Sequence, residues 1–70
     1  METSKQVRMC ETYAGISETE LARRLDTSPQ ALGQKLKRNT LTPSDLALVA
    51  AAIGATYHSY FVFPDGHIIE

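Results

Sequence analysis

Two glutamines and a basic cluster share one short segment near the middle of the chain, SPQALGQKLKR at residues 28–38. Gln30 and Gln34 are four residues apart, so on a helix their side chains project from one face. A glutamine amide can pair with both N6 and N7 of adenine, and such a contact discriminates between bases by about 1–3 kcal/mol. The spacing therefore indicates a helix that could read DNA, although a plain solvated helix face would have the same pattern.

The charge of the chain is distributed unevenly around this segment. The 70 residues carry a net charge of −1, but residues 21–44 hold five basic residues and one acidic residue, a net charge of +4. The remaining residues hold two basic and seven acidic residues, a net charge of −5. Salt confines charge effects to about 8–10 Å under physiological conditions, so phosphate binding depends on the local patch. The basic run at 35–38 would also be favourable simply as a helix C-terminus.

Capping and stop residues predict the helices that must position this segment. Ser17 with Glu20 is the pattern of a capping box, and Ser28 followed by Pro29 is the pattern of a helix start. The predicted helices span about 4–14, 18–25, 29–37 and 43–53. The apolar residues expected to face the core at helical spacing are Val7, Cys10, Ala14, Leu21, Ala22, Leu25, Leu32, Leu36, Leu46, Val49, Ala50 and Ile53.

The end of the chain changes from helical to strand periodicity. TYHSYFVF at 56–63 is β-branched and aromatic and predicts one strand, PDG at 64–66 predicts a turn, and HIIE at 67–70 predicts a return strand. The expected fold class is mainly α, with four short helices followed by a C-terminal β-hairpin. Residues 1–55 would form a helix-turn-helix unit, and residues 56–70 a hairpin tail belonging to the same domain.

Both faces of the predicted strand carry apolar side chains, so one of them is a candidate interface. Alternation places Tyr57, Ser59, Phe61 and Phe63 on one face and His58, Tyr60 and Val62 on the other. His58 and His67 could face each other across the hairpin, but a metal ion requires more ligands than these two, and no metal site is predicted.

The segment GISETELARRLDTSPQALGQKLKR, followed by LTPSDLALVAAAIGA, resembles the Xre/Cro family, the helix-turn-helix domains of phage repressors. The resemblance covers about residues 5–55, and YFVFPDGHII resembles the β-tail of Cro. Three positions depart from the family pattern. Asp26 stands where glycine is usual, Glu18 where glutamine is frequent, and Lys35 where the family usually buries an apolar residue, a role that Leu36 takes here.

The resemblance implies a role for each residue of the third helix, the one that enters the major groove in this family. It places Pro29, Gln30 and Gln34 at base-contacting positions, and Gly33 between them would permit close approach to the groove. Phosphate contacts are expected from polar and basic residues near the two ends of this helix, namely Ser28, Lys35, Lys37, Arg38, Asn39 and Thr40.

A twofold dimer would read a palindromic site, because one such domain contacts only a half-site. By resemblance to Cro, the free edge of the hairpin would pair with the same edge of a second copy. The predicted dimer interface consists of Tyr60, Phe61, Val62, Phe63 and Ile68.

These features predict a sequence-specific regulator of transcription, a small repressor that binds double-stranded DNA. The alternative is a protein-interaction module whose hairpin binds a protein partner and whose DNA binding is weak or absent. The sequence shows no nucleophile–base set, phosphate loop or metal cluster, so we expect no enzymatic activity, no cofactor and no small-molecule ligand.

Two features bear on where the protein acts. A single cysteine, Cys10, cannot form an internal disulfide, which fits the cytoplasm. The longest apolar run, LALVAAAIGA at 46–55, is about half the length of a membrane span, so no membrane contact is expected.

Overall fold

A computed structural model describes residues 2–70 as four helices followed by a small sheet. The helices are α1 (Thr3–Ala14), α2 (Glu18–Arg24), α3 (Pro29–Arg38) and α4 (Pro43–Ala52). The strands are β1 (Thr56–Tyr57), β2 (Phe61–Val62) and β3 (Ile68–Ile69), which form an antiparallel sheet in the order β1-β2-β3. The mainly-α fold class is confirmed. Across residues 2–70, none of the helices combines the length and apolar character that spanning a membrane requires.

Side-chain caps explain where three of the helices begin. The hydroxyl of Ser28 accepts the backbone N–H of Ala31 at 3.1 Å, and that of Ser17 accepts the N–H of Glu20 at 3.0 Å. The capping box predicted at Ser17 is only half formed, because the Glu20 carboxylate turns instead to two arginines of α2. The complete capping box begins α4, where Thr42 and Asp45 each accept the other's backbone N–H.

Asn39 joins the start of α1 to the end of α3. It adopts the left-handed conformation that ends α3, with φ of 54°. Its side-chain Oδ1 accepts the Thr3 hydroxyl at 2.6 Å and the Ser4 backbone N–H at 3.3 Å. The buried Ser4 hydroxyl donates to the backbone carbonyl of Leu36. Since α1 has no side-chain cap of its own, the bond from the Ser4 backbone N–H to Asn39 Oδ1 satisfies one of its free N–H groups.

One apolar core joins all four helices and the sheet. Of the predicted core residues, Ala14 and Leu25 are partly buried and the rest are buried, so the helical patterns are confirmed. The sheet adds Phe61, Phe63 and Ile69 to the same core. Cys10 is fully buried, as its place in the apolar pattern predicts.

The strand predicted over residues 56–63 is wrong as a single element. Ser59 has φ of +86°, and the chain reverses there to give the two short strands β1 and β2. The second turn is confirmed, because Gly66 has φ of +89° and its N–H donates to Phe63 O at 2.9 Å. His58 therefore lies in the first turn and His67 beside the second, so the two histidines do not form a cross-strand pair.

The sheet has a buried inner face and a more open outer face. Phe61 and Ile69 pair across the inner face, whereas Val62 and Ile68 pair across the outer face, where Ile68 is 50% exposed. Hydrogen-bonded and non-bonded pairs alternate along antiparallel strands. Since Phe63 N–H donates to His67 O, Phe61 and Ile69 form the next bonded pair. The backbone N–H and C=O of Ile68 consequently point away from β2, at the edge of the sheet.

The predicted dimer interface needs a correction at two residues, whose side chains are buried. Phe61 is fully buried and Phe63 is 7% exposed, so both side chains belong to the core of this chain and are not available to a second copy. Tyr60 and Ile68 are exposed and Val62 is half-buried, so these three alone of the predicted interface residues reach the surface.

Candidate nucleic-acid interface

A tight turn at residues 25–28 joins α2 to α3. Asp26 adopts the left-handed conformation with φ of 58°, which glycine favours and aspartate tolerates better than most residues. The N–H of Thr27 donates to Ala22 O at 3.0 Å and closes the end of α2. Ala22 itself is fully buried, and its small side chain permits close packing of α3 on α2.

The N-terminal half of α3 presents an open polar surface. Pro29, Gln30 and Gln34 are exposed, and within residues 2–70 the two glutamine side chains make no hydrogen bond. Their amide groups are therefore available to a ligand from outside the chain. The local cause is the amphipathic pattern of α3, in which Leu32 and Leu36 are buried on the opposite side.

Gly33, which was predicted to permit close approach to the groove of DNA, is less exposed than Gln30 and Gln34. It is partly buried, and a Cβ atom at this position would lie 3.6 Å from Oε2 of Glu18, in the first turn of α2. The prediction treated residue 33 as part of the outer arc of α3. Residue 33 instead lies on the side of α3 that faces the first turn of α2.

The residues predicted to bind phosphate divide into available and occupied groups. Lys37 and Arg38 are exposed and make no ion pair within residues 2–70, and Thr40 is exposed. The Ser28 hydroxyl accepts a backbone N–H and can still donate its own hydrogen.

Lys35 and Asn39 are the occupied members of the predicted phosphate set. Lys35 Nζ lies 3.7 Å from Asp45 Oδ1, so this lysine reaches the surface but faces α4. The side-chain oxygen of Asn39 is held by α1, and its Nδ2 is the group left for a ligand. Both residues are therefore less available to a phosphate than their types predict.

Ion pairs reduce the positive charge of the interface below the value that its sequence segment indicates. Glu20 pairs with Arg23 at 2.6 Å and with Arg24 at 2.9 Å. Hydrogen bonds from these two arginines lower the pKa of Glu20 to about 2. Arg24 also donates to Ala52 O at 3.0 Å and so ties α2 to the end of α4.

Acidic residues on both sides of residues 21–44 account for this lower positive charge. Residues 21–44 omit three acidic residues that lie just outside them, at positions 18, 20 and 45. Over residues 18–45 there are five basic and four acidic residues, a net charge of +1. The spacing of Glu20 from both arginines, three and four residues on a helix, is the sequence signal for this neutralisation.

Glu11 is a buried residue behind this interface that the sequence reasoning missed. It is 8% exposed, and its Oε2 has no hydrogen-bond partner within residues 2–70. The pKa of Glu11 is raised to about 7, mainly by burial and also by the nearby Glu18 carboxylate, while Arg8 opposes the shift. The Glu18 carboxylate of α2 therefore acts on Glu11 of α1 through its charge, and it also lies near the backbone of Gly33 in α3.

Comparison of the chain with known protein families, curated proteins and solved structures finds no significant match in any of the three.

Proposed function

We propose that this protein is a sequence-specific DNA-binding regulator of transcription, a small repressor of the Xre/Cro type that acts in the cytoplasm. One observation carries the proposal. The exposed amides of Gln30 and Gln34 stand together on the N-terminal half of a helix that a tight turn joins to α2. This is the arrangement by which a helix-turn-helix presents side chains to the edges of bases in the major groove.

Phosphate contacts in this proposal come mainly from the C-terminal end of α3. Lys37 and Arg38 have no competing ion pair, while Ser28 can donate from the other end of the helix. Because three of the five basic residues nearby are already paired, the dependence of DNA affinity on salt should be modest. The slope of log K against log salt is about −0.9 for each phosphate neutralised, so two contacts per protomer give about −2.

We also propose that the protein binds as a homodimer through the outer face and edge of the sheet. Val62 and Ile68 offer an apolar pair there, and the outward N–H and C=O of Ile68 can pair with another strand. An Ile68→Lys variant should remain folded, since half of this side chain is exposed, and should be monomeric in sedimentation equilibrium. A wild-type protein that is monomeric at high micromolar concentration would refute the dimer.

Binding to a mixed pool of labelled duplexes tests the main proposal. In fluorescence anisotropy, the wild-type protein should bind the pool at about 50 mM salt and lose affinity as salt rises. A Lys37→Ala, Arg38→Ala variant should bind all duplexes more weakly and show a smaller salt slope. A Gln30→Ala, Gln34→Ala variant should keep its affinity for the pool but lose preference among sequences. Absence of any binding at about 50 mM salt would overturn the proposal.

The paired arginines favour a second candidate, a protein-interaction module with weak or no DNA binding. The local net charge of +1 and the carboxylates of Glu18 and Asp26 beside α3 both weaken attraction to phosphate. The anisotropy measurement separates the two candidates, because a module of this kind would show no salt-dependent affinity for duplex DNA.

A further inference from the structure

A groove of about 390 Å³ lies between α1 and the last strand, on a surface that contains no residue of α2, α3 or α4. One wall is the face of α1 between Lys5 and Tyr13, and the other consists of His67 and Ile69. The floor is apolar, because Met9 and Tyr13 are 44% and 43% exposed along it. The groove is shallow and widely open to solvent, and large apolar side chains exposed together on a surface are typical of an interaction site.

The aromatic wall of the groove is held rigid by contacts within the chain. The ring of Tyr13 stacks on that of His67, with centroids 4.1 Å apart and planes 4° from parallel. Tyr13 also packs on Phe63 of the core, at 4.6 Å between centroids, and its hydroxyl donates to Asp65. A partner would therefore meet a preformed surface, and little conformational entropy would be lost by these rings on binding.

The rim of the groove carries a positive charge that contrasts with its surroundings. Lys5 and Arg8 are the only basic residues outside residues 21–44, and both line this groove. Neither makes an ion pair within residues 2–70. The residues that line the groove include these two basic residues and no acidic one, and the adjoining Asp65 carboxylate accepts the Tyr13 hydroxyl, so the groove would attract a negatively charged partner.

We propose that this groove binds a short acidic segment of a partner protein, with one large apolar side chain of that segment packed on Met9 and Tyr13. The volume is at the small end of the range for ligand sites, which suits one anchoring side chain rather than a whole helix. Two cations are fewer than the four to eight that adsorb a protein to acidic lipid, so a membrane surface is a poorer fit. This inference does not depend on the proposed DNA binding, because the groove shares no residue with α3.

Backbone amide spectra of the full chain, recorded by two-dimensional NMR during titration with synthetic peptides, test the inference. The probe is a short peptide with Phe and Leu set among Asp and Glu residues. Two control peptides replace the acidic residues by Lys and Arg, or the apolar residues by Ser. The acidic apolar peptide should shift the signals of residues 5–13 and 66–69, and both controls should fail to do so.

Matched charge reversals identify the site that the peptide occupies. A Lys5→Glu, Arg8→Glu variant should bind the peptide about tenfold more weakly, because two rim ion pairs become repulsive contacts. A Lys37→Glu, Arg38→Glu variant has the same change in net charge at the end of α3 and should bind the peptide like wild type. All four side chains are exposed, so well-dispersed spectra should show that both variants fold.

Three outcomes would overturn the inference. The peptide could cause no shifts at all, or shift only residues 28–38 and be displaced by duplex DNA, which would mean that it mimics DNA at the reading helix. Alternatively, the signals of residues 5–13 could move with protein concentration alone and not respond to peptide, which would make the groove a contact between copies of this chain.

Discussion

Replacing Gly33 by alanine tests how α3 is packed, and we expect it to stabilise the protein. The position lies inside a ten-residue helix, where glycine is less favourable than alanine by about 0.5–1 kcal/mol. The new Cβ would lie 3.6 Å from the Glu18 carboxylate, which is ordinary van der Waals distance to the end of a flexible side chain. The variant should therefore gain the full amount of about 0.5–1 kcal/mol in free energy of unfolding, which raises Tm by about 2–8 °C for a domain of this size.

Thermal and urea unfolding, followed by circular dichroism, measure this effect. Ala47→Gly is the matched control, because Ala47 is exposed in the middle of α4 and should lose a similar amount. A Gly33→Ala variant less stable than wild type would show that Glu18 cannot yield, and would refute the packing described for α2 and α3. If the stabilised variant binds DNA with unchanged affinity, residue 33 is not where the protein approaches the major groove of DNA.

Three further results are expected. Ser59→Gly should be about 1 kcal/mol more stable than Ser59→Ala, because φ of +86° strains any residue with a Cβ; equal stabilities would contradict the turn. Since the pKa of Glu11 is raised from 4.5 to about 7, the folded state holds that proton more tightly, and stability falls as pH rises between these values. Glu11→Gln should therefore raise the free energy of unfolding by up to about 3 kcal/mol above pH 7 and by little near pH 4. Glu70→Gln, at an exposed position, is the control, and an effect of Glu11→Gln that does not change with pH would refute the pKa shift. Burial raises the pKa of Cys10 to about 12, so iodoacetamide should label it only in urea, and rapid labelling of the native protein would contradict its burial.

Most of the helical fold could be predicted because its signals are local. Capping residues, proline at the first helical position and apolar spacing all act within one or two turns, and Leu32 with Leu36 fixes which side of α3 faces inward. The sheet was harder to predict. Ser59 is not a residue that favours positive φ, so nothing in the sequence marks the first turn, and alternation alone reads residues 56–63 as one strand.

The parts of the candidate site that could not be predicted depend on contacts between helices. The closeness of Gly33 to Glu18 follows from how α2 and α3 pack on each other, which residue spacing along one helix does not specify. The same is true of Asn39, whose type suits phosphate binding but whose oxygen is needed by the start of α1. Lys35 is exposed, but its ion pair with Asp45 of α4 is likewise a contact between helices that the sequence pattern of α3 does not specify.

Selection of bound sequences from a random pool of duplexes tests the central claim most directly. If α3 reads bases, the wild-type protein should enrich a defined site, twofold symmetric if it is a dimer, with half-sites about 10 bp apart. The Gln30→Ala, Gln34→Ala variant should then enrich a different or weaker consensus. No enrichment by the wild-type protein, or an identical consensus from the two proteins, would contradict the assignment of α3 as a reading helix.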